Sequence, residues 1–157
     1  MTMKVLPELY PTDLEAPAAN SFALPEGLIG FENYRQAELL YQSDHLPFLW
    51  LKLTGPHDAL HFVVIEPGGI VPDYAPELFD EHAEALDLTD AAEAMILNIV
   101  TLQRQTPIEA TVNLVGPIVV NRRTRQGRQV VISNYSRYSA HHPLLEKSQA
   151  EGRITTY

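Results

Sequence analysis

Residues 107–133, Pro-Ile-Glu-Ala-Thr-Val-Asn-Leu-Val-Gly-Pro-Ile-Val-Val-Asn-Arg-Arg-Thr-Arg-Gln-Gly-Arg-Gln-Val-Val-Ile-Ser, constrain the fold more than any other stretch of the chain. β-Branched side chains concentrate in three runs, around Thr111 to Val115, Ile118 to Val120 and Val130 to Ile132, and such residues suit a pleated surface better than a helix. Gly116-Pro117 divides the first run from the second. The polar segment 121–128 divides the second from the third, and Gly127 is placed to supply the positive φ that bulged hairpin loops commonly need. Strand, corner and hairpin are therefore expected here. Nothing in the stretch is a nucleophile, a phosphate cradle or a metal cage.

Upstream, Ser21-Phe22-Ala23-Leu24 predicts a short strand stopped by Pro25-Glu26-Gly27, and Leu28-Ile29-Gly30-Phe31 an apolar turn bent under an aromatic ring. Residues 37–42 and 47–53 predict two more strands. In the second, Leu49, Leu51 and Leu53 alternate with Phe48, Trp50 and Lys52, so the leucine face is expected inside. Trp50 can extend the core or act as a surface anchor. Residues 60–65 read as a strand and 70–72 as extended chain before a proline corner. Asp80 is expected to cap a short helix from Glu81 to about Leu86. Thr89 to Glu93 read as a capped turn, and the near-continuous apolar run from Met95 to Leu102 as a central strand buried on both faces.

The pattern is that of about eight short strands with one or two short helices, a mostly β chain folded as a small closed or partly open antiparallel barrel or sandwich. A chain of 157 residues is long enough for one such core. Residues 1–145 are expected to form a single domain, with 146–157 a flexible C-terminal tail. The first twenty residues carry Pro7, Pro11 and Pro17 and offer at best an edge strand. Neither a secretory leader nor a run of roughly 18 apolar residues is visible, so a soluble, cytoplasmic protein is expected.

Chemistry is sparse. The chain has no cysteine, which excludes disulfides and thiolate nucleophiles. Its serines lie in no nucleophile elbow. His57 and His61 stand four apart but on strand-forming sequence, and His141 and His142 are adjacent on an extended segment, so neither pair suits a shared metal. No cofactor is expected. A pI near 5.0 argues against direct nucleic-acid binding.

Charge is the informative property. Net charge is −9, and ten of the twenty acids fall between Lys52 and Arg104, a span without Lys or Arg. Four of the eleven basic residues cluster instead at Arg122, Arg123, Arg125 and Arg128. Such segregation describes either two solvated faces or an acidic field that speeds encounter with a basic partner.

Several separated segments, in order, resemble the flagellar assembly factor family FliW. They are Phe22 to Phe31; Phe62-Val63-Val64 leading to Pro72-Asp73-Tyr74; Ile96 to Leu102; and Ala110 to Asn121 with the Arg-Gln-Gly-Arg-Gln-Val-Val hairpin and the later His142-Pro143-Leu144. The first twenty residues are richer in proline than the family's opening strand. The resemblance implies a barrel-like binding protein without enzymatic activity, whose partners are flagellin and, alternatively, the basic translational regulator CsrA. Sequestering CsrA would relieve repression of flagellin synthesis, with flagellin as the competing ligand.

The charge segregation and an aromatic amid the acids point to a partner surface on Asp73, Tyr74, Glu77, Asp80 and Glu81, with Phe31 and Trp50 as second-rank contacts whose alternative role is support of the core. Tyr74 could equally pack inward. Two other readings stand beside this one: a small β-barrel hydrolase or isomerase with a pocket assembled from His61, Glu66 and Asp73, and a generic adaptor for another basic protein.

Overall fold

The computed structural model describes residues 2–4, 20–103 and 109–144. Eleven strands are found: β1 Thr2–Lys4, β2 Ser21–Ala23, β3 Gln36–Leu40, β4 Leu49–Thr54, β5 Ala59–Ile65, β6 Glu77–Phe79, β7 Ala94–Gln103, β8 Glu109–Val112, β9 Ile118–Asn121, β10 Gln126–Gln129 and β11 His142–Pro143. Among the described residues the one α-helix, α1, spans Asp80–Ala85. The expected count of eight falls short of the eleven among the described residues because β1, β6 and β11 are only two or three residues long, with Pro76 just before β6 and Pro143 within β11, where sequence reads as turn.

A barrel closes through β7, β5, β4, β3, β2, β10 and β9, the last pairing back onto β7. The barrel pairings are antiparallel, whether between consecutive strands or across intervening elements as for β5–β7 and β7–β9, except at the seam where β10 meets β2 in parallel. That seam is thin: Gln126 stands opposite Ala23, and Ala23 N–H donates to Arg125 O at 2.9 Å. Along the same edge of β7, Ala94 to Leu97 pair with β9 and Val100 to Gln103 pair with β8. The chain must therefore leave that edge and rejoin it, and the corner Asn113 to Pro117 makes the detour. Asn113 holds it, accepting at Oδ1 from the Val115 and Gly116 N–H groups at 3.0 Å each.

Alternation puts opposite sides of β7 into two apolar layers, so the strand is buried on both faces from Ala94 to Val100 as its composition predicts, whereas Thr101, Leu102 and Gln103, expected in part to be buried, are exposed. Met95 and Leu97 point into the barrel with Leu24, Leu39, the β4 leucines, Ile118 and Val120. Ala94, Ile96 and Val100 point outward, where residues 66–93, including α1, and residues 130–144 form a second layer. Leu78, Ala83 and Leu86 attach α1 and its flanks to that layer. Burying each of the two leucines contributes roughly 1.5–3 kcal/mol, which is how a six-residue helix too short to persist alone is retained.

Several local expectations are corrected. Asp80 is the first helical residue, not the cap; Phe79 occupies the cap position in extended conformation and offers no capping side chain. In the hairpin, Arg125 carries the positive φ of 60°, and Gly127 lies within β10. Gly127 sits in close quarters: an added Cβ would stand 3.1 Å from the Phe22 ring and 3.2 Å from Val120 Cγ2, and those side chains would have to give way. The third run is displaced too, since β10 is built from Gln126–Gln129 while Val130 and Ile132 continue as a corner bonded to Pro117 O and Val115 O. Residues 70–72 form turns, with Ile70 and Val71 N–H both directed at Pro67 O, where extended chain was expected. The proposed tail 146–157 and most of the first twenty residues lie outside the described residues.

Candidate interaction surface

β6 and α1 follow one another without a break, so Glu77, Asp80 and Glu81 share one short shelf with Glu84 at its far end. Asp80, Glu81 and Glu84 are exposed, and Glu77 is half-buried. The shelf is rigidly mounted. Ser133 N–H donates to Glu77 O at 2.7 Å, Asn134 Oδ1 accepts from Glu77 N–H at 2.9 Å, and Asn134 Nδ2 donates to Ala75 O at 2.9 Å. At the other end, buried Asn121 donates from Nδ2 to Leu86 O at 2.8 Å and to Asp87 O at 3.2 Å, tying the helix terminus to the barrel. Asp73 is exposed in the preceding turn with a left-handed φ of 64°.

Tyr74 faces inward. It is 4% exposed, its hydroxyl donates to Leu114 O at 2.7 Å, and the same oxygen accepts from Asn98 Nδ2 at 3.2 Å. Asn98 also donates to Asn113 O at 2.9 Å, so both side chains brace the β8–β9 corner from beneath. The Tyr138 ring meets Tyr74 edge-on at 4.9 Å. Burial pushes the Tyr74 phenol well above its ordinary pKa. Tyr74 thus braces that corner from within and presents no surface to a partner.

Phe31 and Trp50 are held elsewhere. Phe31, 37% exposed, packs edge-on against Phe62 at 5.3 Å and Tyr34 at 6.3 Å. Trp50 is half-buried on the outer face of β4 and donates from Nε1 to His45 Nδ1 at 3.3 Å. It lines an apolar groove of about 250 Å³ with Asp44, His45, Phe48, Val63 and Leu102. Sequence flagged Trp50 by alternation; Leu102 was hidden at the exposed end of a run read as wholly buried. None of the contacts of Phe31 or Trp50 reaches the shelf.

The acids between Lys52 and Arg104 divide by role. Asp58 accepts from the Tyr34 hydroxyl at 2.7 Å. Glu93 accepts from Arg123 at 2.7 Å and from Thr89, which holds its carboxyl down at about 2, and Asp87 pairs with Arg123 at 3.3 Å. These partly consume the hairpin arginines. The shelf acids remain on the surface.

An enzymatic pocket does not assemble from His61, Glu66 and Asp73. His61 is exposed on β5, and Glu66, 9% exposed, lies five residues further along the same chain direction, roughly 16 Å away at strand rise. Burial raises the Glu66 carboxyl to about 8, with Arg122 pulling it partly back. Among the described residues, no group of three or more His, Asp or Glu side chains could hold a metal. No helix among them is long and apolar enough to cross a membrane.

Comparison with known proteins matches the model of the family described as FliW protein over residues 8–144. A flagellar assembly factor FliW from Natranaerobius thermophilus is 34% identical over 141 residues, covering 90% of this chain and 92% of the relative. One from Leptospira interrogans is 33% identical over 129 residues, covering 82% and 85%. Among solved structures, a crystal structure of the flagellar assembly factor FliW superposes with a TM-score of 0.70 at 32% identity, over 88% of this chain and 95% of that one.

Proposed function

This chain belongs to the FliW family of flagellar assembly factors, and from that premise we propose that it works in the cytoplasm by binding flagellin and, alternatively, the basic translational regulator CsrA, without catalysing a reaction. Holding CsrA relieves repression of flagellin synthesis, and flagellin displaces it, so free protein reports that flagellin has left the cell interior.

The observation that carries this reading is the rigid acidic shelf, with Asp80, Glu81 and Glu84 exposed on a helix pinned at both ends. Fixed like charges on an immobile element attract a basic partner without an ordering cost at contact. Rim charges of this kind act mainly on the rate of encounter and set its salt dependence. Asp73, Glu77, Asp80 and Glu81 form the partner surface in this account, and Tyr74, buried beneath the β8–β9 corner, is no part of it.

The test is a pull-down from flagellated-cell lysate on immobilised protein, with and without added purified flagellin. Capture of a CsrA-type regulator that falls as flagellin is added supports the reading. Capture of neither protein overturns it, and capture of a different basic protein, indifferent to flagellin, identifies a generic adaptor.

A further inference from the structure

β5 is paired along the whole of one side and along only half of the other. Ala59 to Val64 meet β4, whereas only Val63, Val64 and Ile65 meet β7. The alternation of an antiparallel ladder identifies the peptide groups left over. Gly55 N–H donates to Asp58 O at 2.8 Å, one step beyond the register pair Thr54 and Ala59. Leu60, Phe62 and Val64 therefore turn their main-chain groups to β4, and Ala59, His61 and Val63 turn theirs to the β7 side. Along β7, Asn113 N–H donates to Ile99 O at 2.9 Å, which by the same alternation directs Val100 and Leu102 at β5. Val63 and Val100 meet. His61 and Leu102, next in that register, do not, because β7 continues with β8 while β5 stays with β4. Among the described residues, Ala59 and His61 have no main-chain partner on this side.

This edge lacks the usual protection. Natural sheets blunt open edges with lysine or proline, and exposed Ala59 and His61 are neither. Both faces beside it are apolar. On the outer face, Val63, Trp50 and Leu102 line the groove of about 250 Å³, with Asp44 at its lip. On the inner face, half-buried Phe62 packs with the barrel layer and meets the Phe31 ring edge-on at 5.3 Å. A strand laid against residues 59–62 would point successive side chains alternately into the groove and toward Phe62. A net charge of −9 repels a second copy of this chain, and Asp44 favours a cation.

We propose that residues 59–62 of β5 take up an extended segment of a partner protein as an added strand, with apolar side chains on both its faces and a lysine or arginine toward Asp44. Main-chain bonds to Ala59 and His61 supply affinity, and the groove selects the side chains. This surface shares no residue with the acidic shelf and reads main chain and shape where the shelf reads charge.

The probe is the acetylated and amidated peptide Lys-Val-Leu-Val-Leu-Val-Lys. Trp50 is the only tryptophan, so its emission reports the groove alone. Binding predicts a saturable blue shift of that emission, with hydrogen exchange at the Ala59 and His61 amides slowed about tenfold or more. His61→Pro removes the donor on the open side and leaves the β4 ladder intact, so it should weaken binding about tenfold. His61→Thr keeps the N–H and should change affinity less than about twofold. Unchanged Trp50 emission up to millimolar peptide would overturn the proposal, as would equal binding by the two variants, which would mean that the groove acts without strand pairing. Ala59 and His61 amides already protected in the free protein would overturn it too, the edge then being covered; protection that rises with protein concentration would assign that cover to a second copy. If His61→Pro does not fold, as judged by circular dichroism, amide exchange in the unaltered protein decides the matter.

Discussion

Tyr74, an aromatic among acids, has the sequence setting of a contact residue and the structural role of a peg. Its hydroxyl serves Leu114 O and Asn98 Nδ2 together, a junction no local pattern announces because the partners lie 40 and 24 residues away. Tyr74→Phe leaves the ring in place and strips Leu114 O of its donor, so urea unfolding should show a loss of about 1–3 kcal/mol. Glu66 gives a second prediction, in pH. Its folded-state carboxyl titrates at about 8, against an ordinary value of 4.5, so the folded protein holds this proton where the unfolded chain has released it. Stability from this group is therefore greatest below about pH 4.5 and falls as pH rises toward 8, the reverse of the usual carboxylate. Glu66→Gln should stabilise by about 1–2 kcal/mol at pH 9 relative to its effect at pH 5. Equal effects at the two pH values would show that burial does not govern this carboxyl.

Among the elements, strands with strict alternation were legible from sequence and short ones were not. Leu49, Leu51 and Leu53 turn inward as the pattern of β4 requires, since a shift of one residue would expose all three. β6 is invisible in the sequence because Glu77-Leu78-Phe79 is a strand only by virtue of its partner β1 and of its bonds to Ser133 and Asn134. The same limit moved the hairpin. Gly127 advertises a turn, yet it lies within β10 close against the ring of Phe22 across the seam, and Arg125 takes the left-handed conformation instead. Of the candidate surface, charge segregation located the shelf, whereas the inward turn of Tyr74 and the separation of Phe31 and Trp50 from it depend on distant partners. The shelf itself makes a kinetic prediction. Glu77→Lys with Glu81→Lys should slow association with CsrA roughly tenfold at low salt and flatten its salt dependence, while dissociation changes little. Stopped-flow association at two ionic strengths measures it, and an unaltered rate at low salt would remove the shelf from the encounter.

For the whole molecule, the barrel supplies stiffness and the second layer supplies the surface. Closure of seven strands leaves few open edges, and residues 66–93 then wrap the outer face of β7 and carry the acids outward on α1. The motifs that carry the family resemblance fall on both parts, residues 96–102 and 118–121 in the barrel and Pro72-Asp73-Tyr74 on the wrapping, while the proposed shelf contacts lie on the wrapping alone. The central claim is that one protein exchanges two partners, and displacement tests it most directly. A complex of this chain with fluorescently labelled CsrA is titrated with purified flagellin, and anisotropy is followed. The account predicts that anisotropy falls to the value of free CsrA in a saturable manner; a signal that never rises when the complex is assembled, or that flagellin leaves unchanged, would contradict it.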